Sequence, residues 1–320
     1  MDHGIVDTAN NTTINGFSIS GAQTDNTVSH NVNECGITLP SHNSGAATAV
    51  RQPNGTYKIT GLNPTVGGVF DNKIIGNTVN DNGTAGYKNN AAGSGAGVLL
   101  ASAGPGTAVY NNLVEGNSIA GNGLAGVTLH AHYIGGEYLN NNQIIDNVIG
   151  TNNTKGDALD SPLTTADFDT TGILLFSSQS IHTIVSGNTI SSDHYGIWAT
   201  PNVTMTGSTP NSYSSVAVPR FIEDEPFGSA LAAINVTSTG ATLFGLVVPN
   251  GAPTTAYYTW GTSLPSFNVT VPTSVGSGVS PVGFSATIGG LSPKTTYFFQ
   301  MVMTNSNGTA EGLTMSFTTT

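Results

Sequence analysis

Three histidines and a cluster of aspartates are the side chains best placed to do chemistry. His130 and His132 stand two residues apart, and on a strand that spacing turns both imidazoles to the same side. His194 falls near the equivalent corner of a later repeat. Imidazoles grouped in this way could share a proton-transfer site or a metal, since they titrate near neutral pH and ligate readily. No third ligand is adjacent in sequence, which favours acid/base work over metal binding. Asp157, Asp160, Asp167 and Asp169 crowd a single segment. A pair such as Asp157 and Asp160 could supply the acid and base of a glycosidase. All four could instead hold Ca²⁺ through oxygen, although the D-x-D-x-D-G spacing of a regular calcium loop is absent. The plain alternative is a solvated acidic loop.

These residues are carried by a repeat. Asn77-Thr78-Val79-Asn80-Asp81-Asn82-Gly83-Thr84-Ala85-Gly86 aligns without gaps to Asn117-Ser118-Ile119-Ala120-Gly121-Asn122-Gly123-Leu124-Ala125-Gly126, and looser copies begin at Asn26, Asn147 and Asn188. A second phrase follows the first: Gly97-Val98-Leu99-Leu100, Gly126-Val127-Thr128-Leu129, Gly172-Ile173-Leu174-Leu175 and Gly196-Ile197-Trp198-Ala199. Strands this short cannot bury an apolar face alone and must stack on neighbours. Successive phrases lie 40, 30 and 41 residues apart from Asn77 to Asn188, as expected for stacked coils with loops of varying length inserted at one corner. In-register stacking sets equivalent Asn side chains about 4.8 Å apart, close enough for amide-to-amide hydrogen bonds. Asn also tolerates the left-handed backbone that tight corners need. Asn77, Asn117, Asn147 and Asn188 are therefore read as structural.

The N-x-I/V-x-G-N-x-I/V … G-I/V-x-L pattern, over about residues 4–200, resembles the parallel β-helix repeats of the pectin-lyase-like superfamily, including NosD-like proteins. The resemblance implies a right-handed parallel β-helix. It does not fix an activity, because the superfamily spans lyases, glycosidases, epimerases, phage tailspikes and non-catalytic surface proteins. Members that cleave anionic polysaccharides place Arg or Lys beside the substrate carboxylate, often with Ca²⁺. Here Lys155 is the only base between Lys88 and Arg220, so a neutral glycan is the better fit.

In a β-helix, Val127 and Leu129 point inward while Thr128 and His130 point outward. The same register makes an outward strip of Leu99, His130, Leu174, Phe176 and Trp198, too apolar for bare surface. Loops such as 131–141 and 151–171, or the C-terminal domain, are expected to cover it. The resemblance to glycan-handling β-helices implies the other use, with Phe176 and Trp198 as a platform on which sugar rings stack.

The repeat stops after Trp198, and residues 207–232 mix Ser and Pro with the acidic run Glu223-Asp224-Glu225, which reads as a linker. Alternating strands within 233–320 suggest an immunoglobulin-like sandwich. Leu291-Ser292-Pro293-Lys294-Thr295-Thr296-Tyr297-Phe298, with Val302, Asn305 and the closing Met315-Ser316-Phe317-Thr318, resembles a fibronectin type III domain. Such modules serve as spacers, surface binders or packing partners. The expected organisation is all-β: a parallel β-helix (1–206), a linker (207–232) and a sandwich (233–320).

Only 8% of residues are charged, and the formal net charge is −11. The seven basic residues are scattered singly from Arg51 to Lys294, which argues against nucleic acid as a partner. No apolar run is long enough for a membrane span, and the single Cys35 excludes an intrachain disulfide. Met1-Asp2-His3 leads straight into the strand-like Gly4-Ile5-Val6 without a leader, so an extracellular or cell-surface protein lacking its native N-terminus is expected. An uncapped first coil, and a C-terminal domain whose only charges are Lys294 and Glu311, point to self-association as a homo-oligomer or filament. These features favour a non-catalytic structural, adhesive or glycan-binding role. The alternative is a polysaccharide-active enzyme, a glycoside hydrolase, lyase or epimerase, using the histidines and aspartates named above.

Overall fold

The computed structural model describes residues 5–6, 13–15, 27–29, 35–63, 65, 67–83, 95–152, 170–263, 265 and 268–320; among these there are strands and turns but no helix. The chain forms two compact units, with the main division between Glu223 and Asp224.

Three parallel sheets run through the first unit. The first sheet orders Ile5–Val6, Ile37–Ser41, Val98–Ser102, Val127–Ala131, Thr171–Phe176, Tyr195–Ala199 and Val218–Ile222. From Val98–Ser102 the chain passes through Leu113–Glu115 in the second sheet and Ser118–Ala120 in the third before returning to Val127–Ala131 in the first. Each circuit thus stacks on the last, with Val98 beside Val127, Val127 beside Ile173 and Ile173 beside Ile197. The result is a β-helix-like solenoid. Its interior is a column of fully buried aliphatics: Leu100, Leu129 and Leu175 from the first sheet, Ile74, Val114 and Ile144 from the second, and Val79, Ile119 and Ile149 from the third. Each contributes about 1.5–3 kcal/mol of burial.

The corners explain the asparagines. Asn72-Asn112-Asn142, Asn77-Asn117-Asn147-Asn188 and Asn82-Asn122-Asn152 form three buried ladders. In the middle ladder the Asn117 side-chain oxygen accepts the backbone N–H of Asn77 at 2.9 Å and its amide at 3.0 Å. The Asn117 amide donates to Ile74 O at 2.9 Å and to Asn147 Oδ1 at 2.9 Å. The left-handed residue is not the ladder Asn, as expected, but the one before it: Asp71, Gly116, Asn141 and Asp146 have φ between 54° and 63°. That residue reverses the chain, and the following Asn side chain then satisfies the peptide groups the reversal exposes.

The glycine opening each first-sheet strand is a packing requirement. A methyl group on Gly126 would lie 2.8 Å from Gly172 O and 2.9 Å from both Asn152 Nδ2 and Ile149 Cγ2. Only a bare Cα fits over the ladder amide.

Residues 207–232, expected as a linker, instead carry strands. Ser212–Ser214 pairs with Thr189–Ser191, Val218–Ile222 pairs with Tyr195–Ala199, and Phe227–Ile234 opens the second unit. The stretch lacks the Asn-Gly phrase, so its continuation of the coil was hidden.

In the second unit, Phe227–Ile234, Gly240–Val248 and Val282–Gly289 form one antiparallel sheet. Thr254–Gly261 and Thr296–Thr304 centre another, flanked by Asn268–Val269, Thr273–Gly276, Thr309–Glu311 and Met315–Thr318. Leu243, Val247 and Phe284 from one sheet share a core with Ala256, Tyr258, Phe299 and Met301 from the other. The Tyr297 hydroxyl accepts the backbone N–H of Ser292 at 2.9 Å.

Candidate functional site

His130 and His132 meet at the end of the first sheet, their ring centroids 4.2 Å apart. His130 is fully buried and faces outward, away from Leu129 and Ala131 in the core column. Burial, and then the neighbouring His132, holds its pKa well below the usual histidine range. His132 is exposed; desolvation and the approach of His42 lower its pKa as well. His42 belongs to this group by register. Ser41, Ser102 and Ala131 are paired in sequence across three strands, so His42 and His132 flank Ala103 with backbones about 10 Å apart.

The third expected histidine lies elsewhere. His130 is level with Phe176, and the residue before Phe176, Leu175, is level with Ala199. His130 is therefore level with Thr200, six positions beyond His194, a separation of about 20 Å along the strands. The His194 ring packs against Tyr195 at 4.5 Å, and the backbone N–H of His194 donates to Thr170 Oγ1 at 2.8 Å. The expected sharing of one reacting atom by His130, His132 and His194 is thus corrected: the third imidazole is out of reach.

A carboxyl group also sits at this sheet end. Glu137 Oε2 accepts the backbone N–H of Tyr133 at 3.3 Å, with His132 N–H and the Ser102 hydroxyl close by. Burial pushes its pKa well above the usual carboxylate range. Ser102 pairs with the core residue Ala131, so Glu137 lies on the inner side of the strand end and His130 on the outer.

The outward strip exists in the expected register, but Leu99, His130, Phe176 and Trp198 are buried and Leu174 is half-buried. From His130 the ring centroids run to Phe176 at 5.6 Å, on to Trp198 at 6.4 Å and on to Phe221 at 6.4 Å. Phe176 is 0% exposed and Trp198 4%. The reading of Phe176 and Trp198 as an open sugar platform is corrected, because their faces are closed to a ligand in this structure. Leu99 joins Cys35, Ala96, Ala101 and Leu124 in a separate small cluster. Asp157, Asp160, Asp167 and Asp169 lie outside the described residues. Among those described, no three His, Cys, Asp or Glu side chains are grouped to hold a metal.

The state of His130 predicts an acid limb of stability. Its folded pKa is depressed from 6.5, so the unfolded chain binds the proton more tightly. This contribution is present above about pH 6.5 and is lost as pH falls below it. His130→Phe, which keeps an aromatic ring at this place in the stack, is expected to reduce the loss of stability between about pH 7.5 and 5, measured by denaturant unfolding.

His42, Glu137 and Asp193 escaped the sequence reading. Asp193 was legible: Asn72-Asn77-Asn82, Asn112-Asn117-Asn122 and Asn142-Asn147-Asn152 recur every five residues, and Asn188 is followed at the same interval by Asp193. His42 and Glu137 carry no such signal, since only strand register and loop closure bring them to the site.

No family model matches the chain, and no curated protein does. Among solved structures, the sensor domain of the anti-sigma factor RsgI4 of Pseudobacteroides cellulosolvens is similar in two forms. The shorter is 25% identical over 30% of this chain and 94% of its own, with a TM-score of 0.25. The longer is 27% identical over 29% of this chain and 86% of its own, with a TM-score of 0.23. Likeness at these scores carries no argument about this chain. Among the described residues no helix is long and apolar enough to cross a membrane.

Proposed function

We propose that this chain is a non-catalytic extracellular or cell-surface protein in which a right-handed β-helix of the pectin-lyase-like kind bears a fibronectin type III-like sandwich. Its role is structural or adhesive, through neutral glycans or through further copies of itself. The observation that carries this reading is the fate of the side chains with chemistry in them. His130, Glu137 and Asp193 are buried within the stack, while the outward positions of the third sheet are uncharged and exposed, with Ser118, Val148, Thr189 and Ser212 in one rank. Hydroxyls and methyls at β-strand spacing suit contact with sugar hydroxyls better than bond cleavage.

Two features support the fibronectin type III-like part. Counted in chain order, the first, second and sixth of the nine strand segments share one sheet and the remaining six form the other, which matches the family's division once the short segments Asn268–Val269 with Thr273–Gly276, and Thr309–Glu311 with Met315–Thr318, are each taken as one strand. The Tyr297 hydroxyl bond to Ser292 N–H has the form of the tyrosine corner of such sandwiches.

The test is a panel of neutral and acidic glycans, with and without Ca²⁺, scored for retention of the full chain and for product. Retention on neutral glycans without product is the expected outcome. Product from any glycan would replace this reading with that of a polysaccharide-active enzyme. If nothing is retained, the adhesive role rests on self-association, and a strictly monomeric species in light scattering at high micromolar concentration would remove that too.

A further inference from the structure

The third Asn ladder ends on a carboxyl group. Asn82 N–H donates to Asn122 Oδ1 at 3.0 Å, Asn122 N–H to Asn152 Oδ1 at 3.2 Å, and Asn152 N–H to Asp193 Oδ1 at 2.8 Å. Asp193 therefore takes the rung with its first oxygen in the place of an amide oxygen. Its second oxygen takes the place of the amide nitrogen, as the glycines over the ladder show. A methyl group on Gly97 would lie 2.8 Å from Asn122 Nδ2, on Gly126 2.9 Å from Asn152 Nδ2, and on Gly172 3.3 Å from Asp193 Oδ2.

On the lower rungs that nitrogen is a donor. Asn122 Nδ2 donates to Val79 O at 3.1 Å and Asn152 Nδ2 reaches Ile119 O at 3.4 Å; the carbonyl at the equivalent place for Asp193 is that of Ile149. A carboxylate oxygen has no proton to give it. Asp193 is 2% exposed, and its Oδ2 is buried with no hydrogen-bond partner among the described residues. A protonated carboxyl restores the missing donor, because its O–H stands where the amide N–H would.

We propose that Asp193 is held as the neutral acid, an asparagine mimic, and that its ionisation makes the coils that carry Thr171–Phe176 and Tyr195–Ala199 sensitive to pH. The bonds around it show what would be loosened. Asp193 grips Asn152 N–H, Thr171 N–H donates to Asn152 O at 3.1 Å, and Tyr195 N–H donates to Thr170 O at 2.9 Å. The rung thus ties Asn152 to Thr170-Thr171 and to the strand that opens at Tyr195.

Among the described residues, the titratable groups on elements packed against it are His194 and Tyr195, next to it in sequence, and Tyr213 and Arg220 on the following coil. Val148–Ile149, Asn152 and Thr170–Gly172 contribute none. Burial, not a neighbouring charge, raises the Asp193 pKa to about 7, and the Asn152 N–H acts weakly in the other direction. The folded pKa lies above the ordinary aspartate value of 3.8, so the folded chain holds this proton more tightly than the unfolded one. The contribution is full below about pH 4, declines as pH rises toward 7 and stays low above it.

Asp193→Asn supplies the donor at every pH. In thermal unfolding of the full chain, its Tm is expected to exceed that of the unsubstituted chain by about 5 °C at pH 8.5, with the difference vanishing toward pH 4. A difference that does not change with pH, or a lower Tm for the variant at pH 8.5, would overturn the proposal. Should the variant not fold, carboxyl-carbon NMR of the unsubstituted chain decides it. A midpoint above 6 for Asp193 supports the neutral rung, and one below 6 removes it.

Discussion

Asn117→Ala is expected to destabilise the solenoid by about 3–6 kcal/mol, because it strands several buried polar groups at once. Asn77 loses the acceptor for its backbone N–H and its side-chain amide. Ile74 O and Asn147 Oδ1 each lose a donor. None of these groups can turn to water, since Asn77, Asn117 and Asn147 are 0–1% exposed. Asn117→Asp is the informative companion. It keeps the acceptor, loses the donors and adds a buried charge, so it should be as damaging at neutral pH and recover in part on acidification. Denaturant unfolding followed by far-UV circular dichroism would measure both. A change below 1 kcal/mol for the alanine variant would mean that the ladder is not a main support of the stack.

The second large effect is expected at Trp198. Its ring lies between those of Phe176 and Phe221, each 6.4 Å away, and it is nearly closed to solvent. Truncation removes both ring contacts and leaves a cavity, so Trp198→Ala should cost about 3–5 kcal/mol of stability. Trp198→Phe should recover most of it. Glycan retention per folded molecule is expected to be unchanged in both variants. Retention lost while stability is kept would reopen the platform reading that burial now argues against.

How much of this was legible in the sequence depends on the range of the interaction. The coil was legible because Asn-Gly corners and Gly-Ile/Val strands repeat, and the pairing of Val98, Val127, Ile173 and Ile197 follows from alignment of those phrases. The outward register of His130, Phe176 and Trp198 followed from alternation alone. Their burial did not, since alternation says which face a residue takes and not whether that face is covered. The final coil was missed because Ser212–Ser214 and Val218–Ile222 carry neither the Asn-Gly corner nor the Gly-Ile step, and only pairing with the coil before identifies them. His194 was misplaced for a related reason. A repeat fixes position around the coil well, but the histidines stand at opposite ends of the same sheet, one before its strand and one at the close of another.

The ladders also bear on how such a chain changes length through inheritance. Adjacent rungs bond to one another from coil to coil, and Asn72, Asn112 and Asn142 offer the same donors and acceptors in the same place. Unequal recombination between two copies of the Asn-bearing phrase therefore adds or removes one whole circuit and leaves each remaining rung with a partner. An exchange out of phase would set an apolar residue against an amide and leave a buried polar group unpaired. Nearest-neighbour bonding of this kind lets a solenoid lengthen in discrete steps at roughly constant stability per step, so that each added circuit changes its reach and leaves its chemistry as it was.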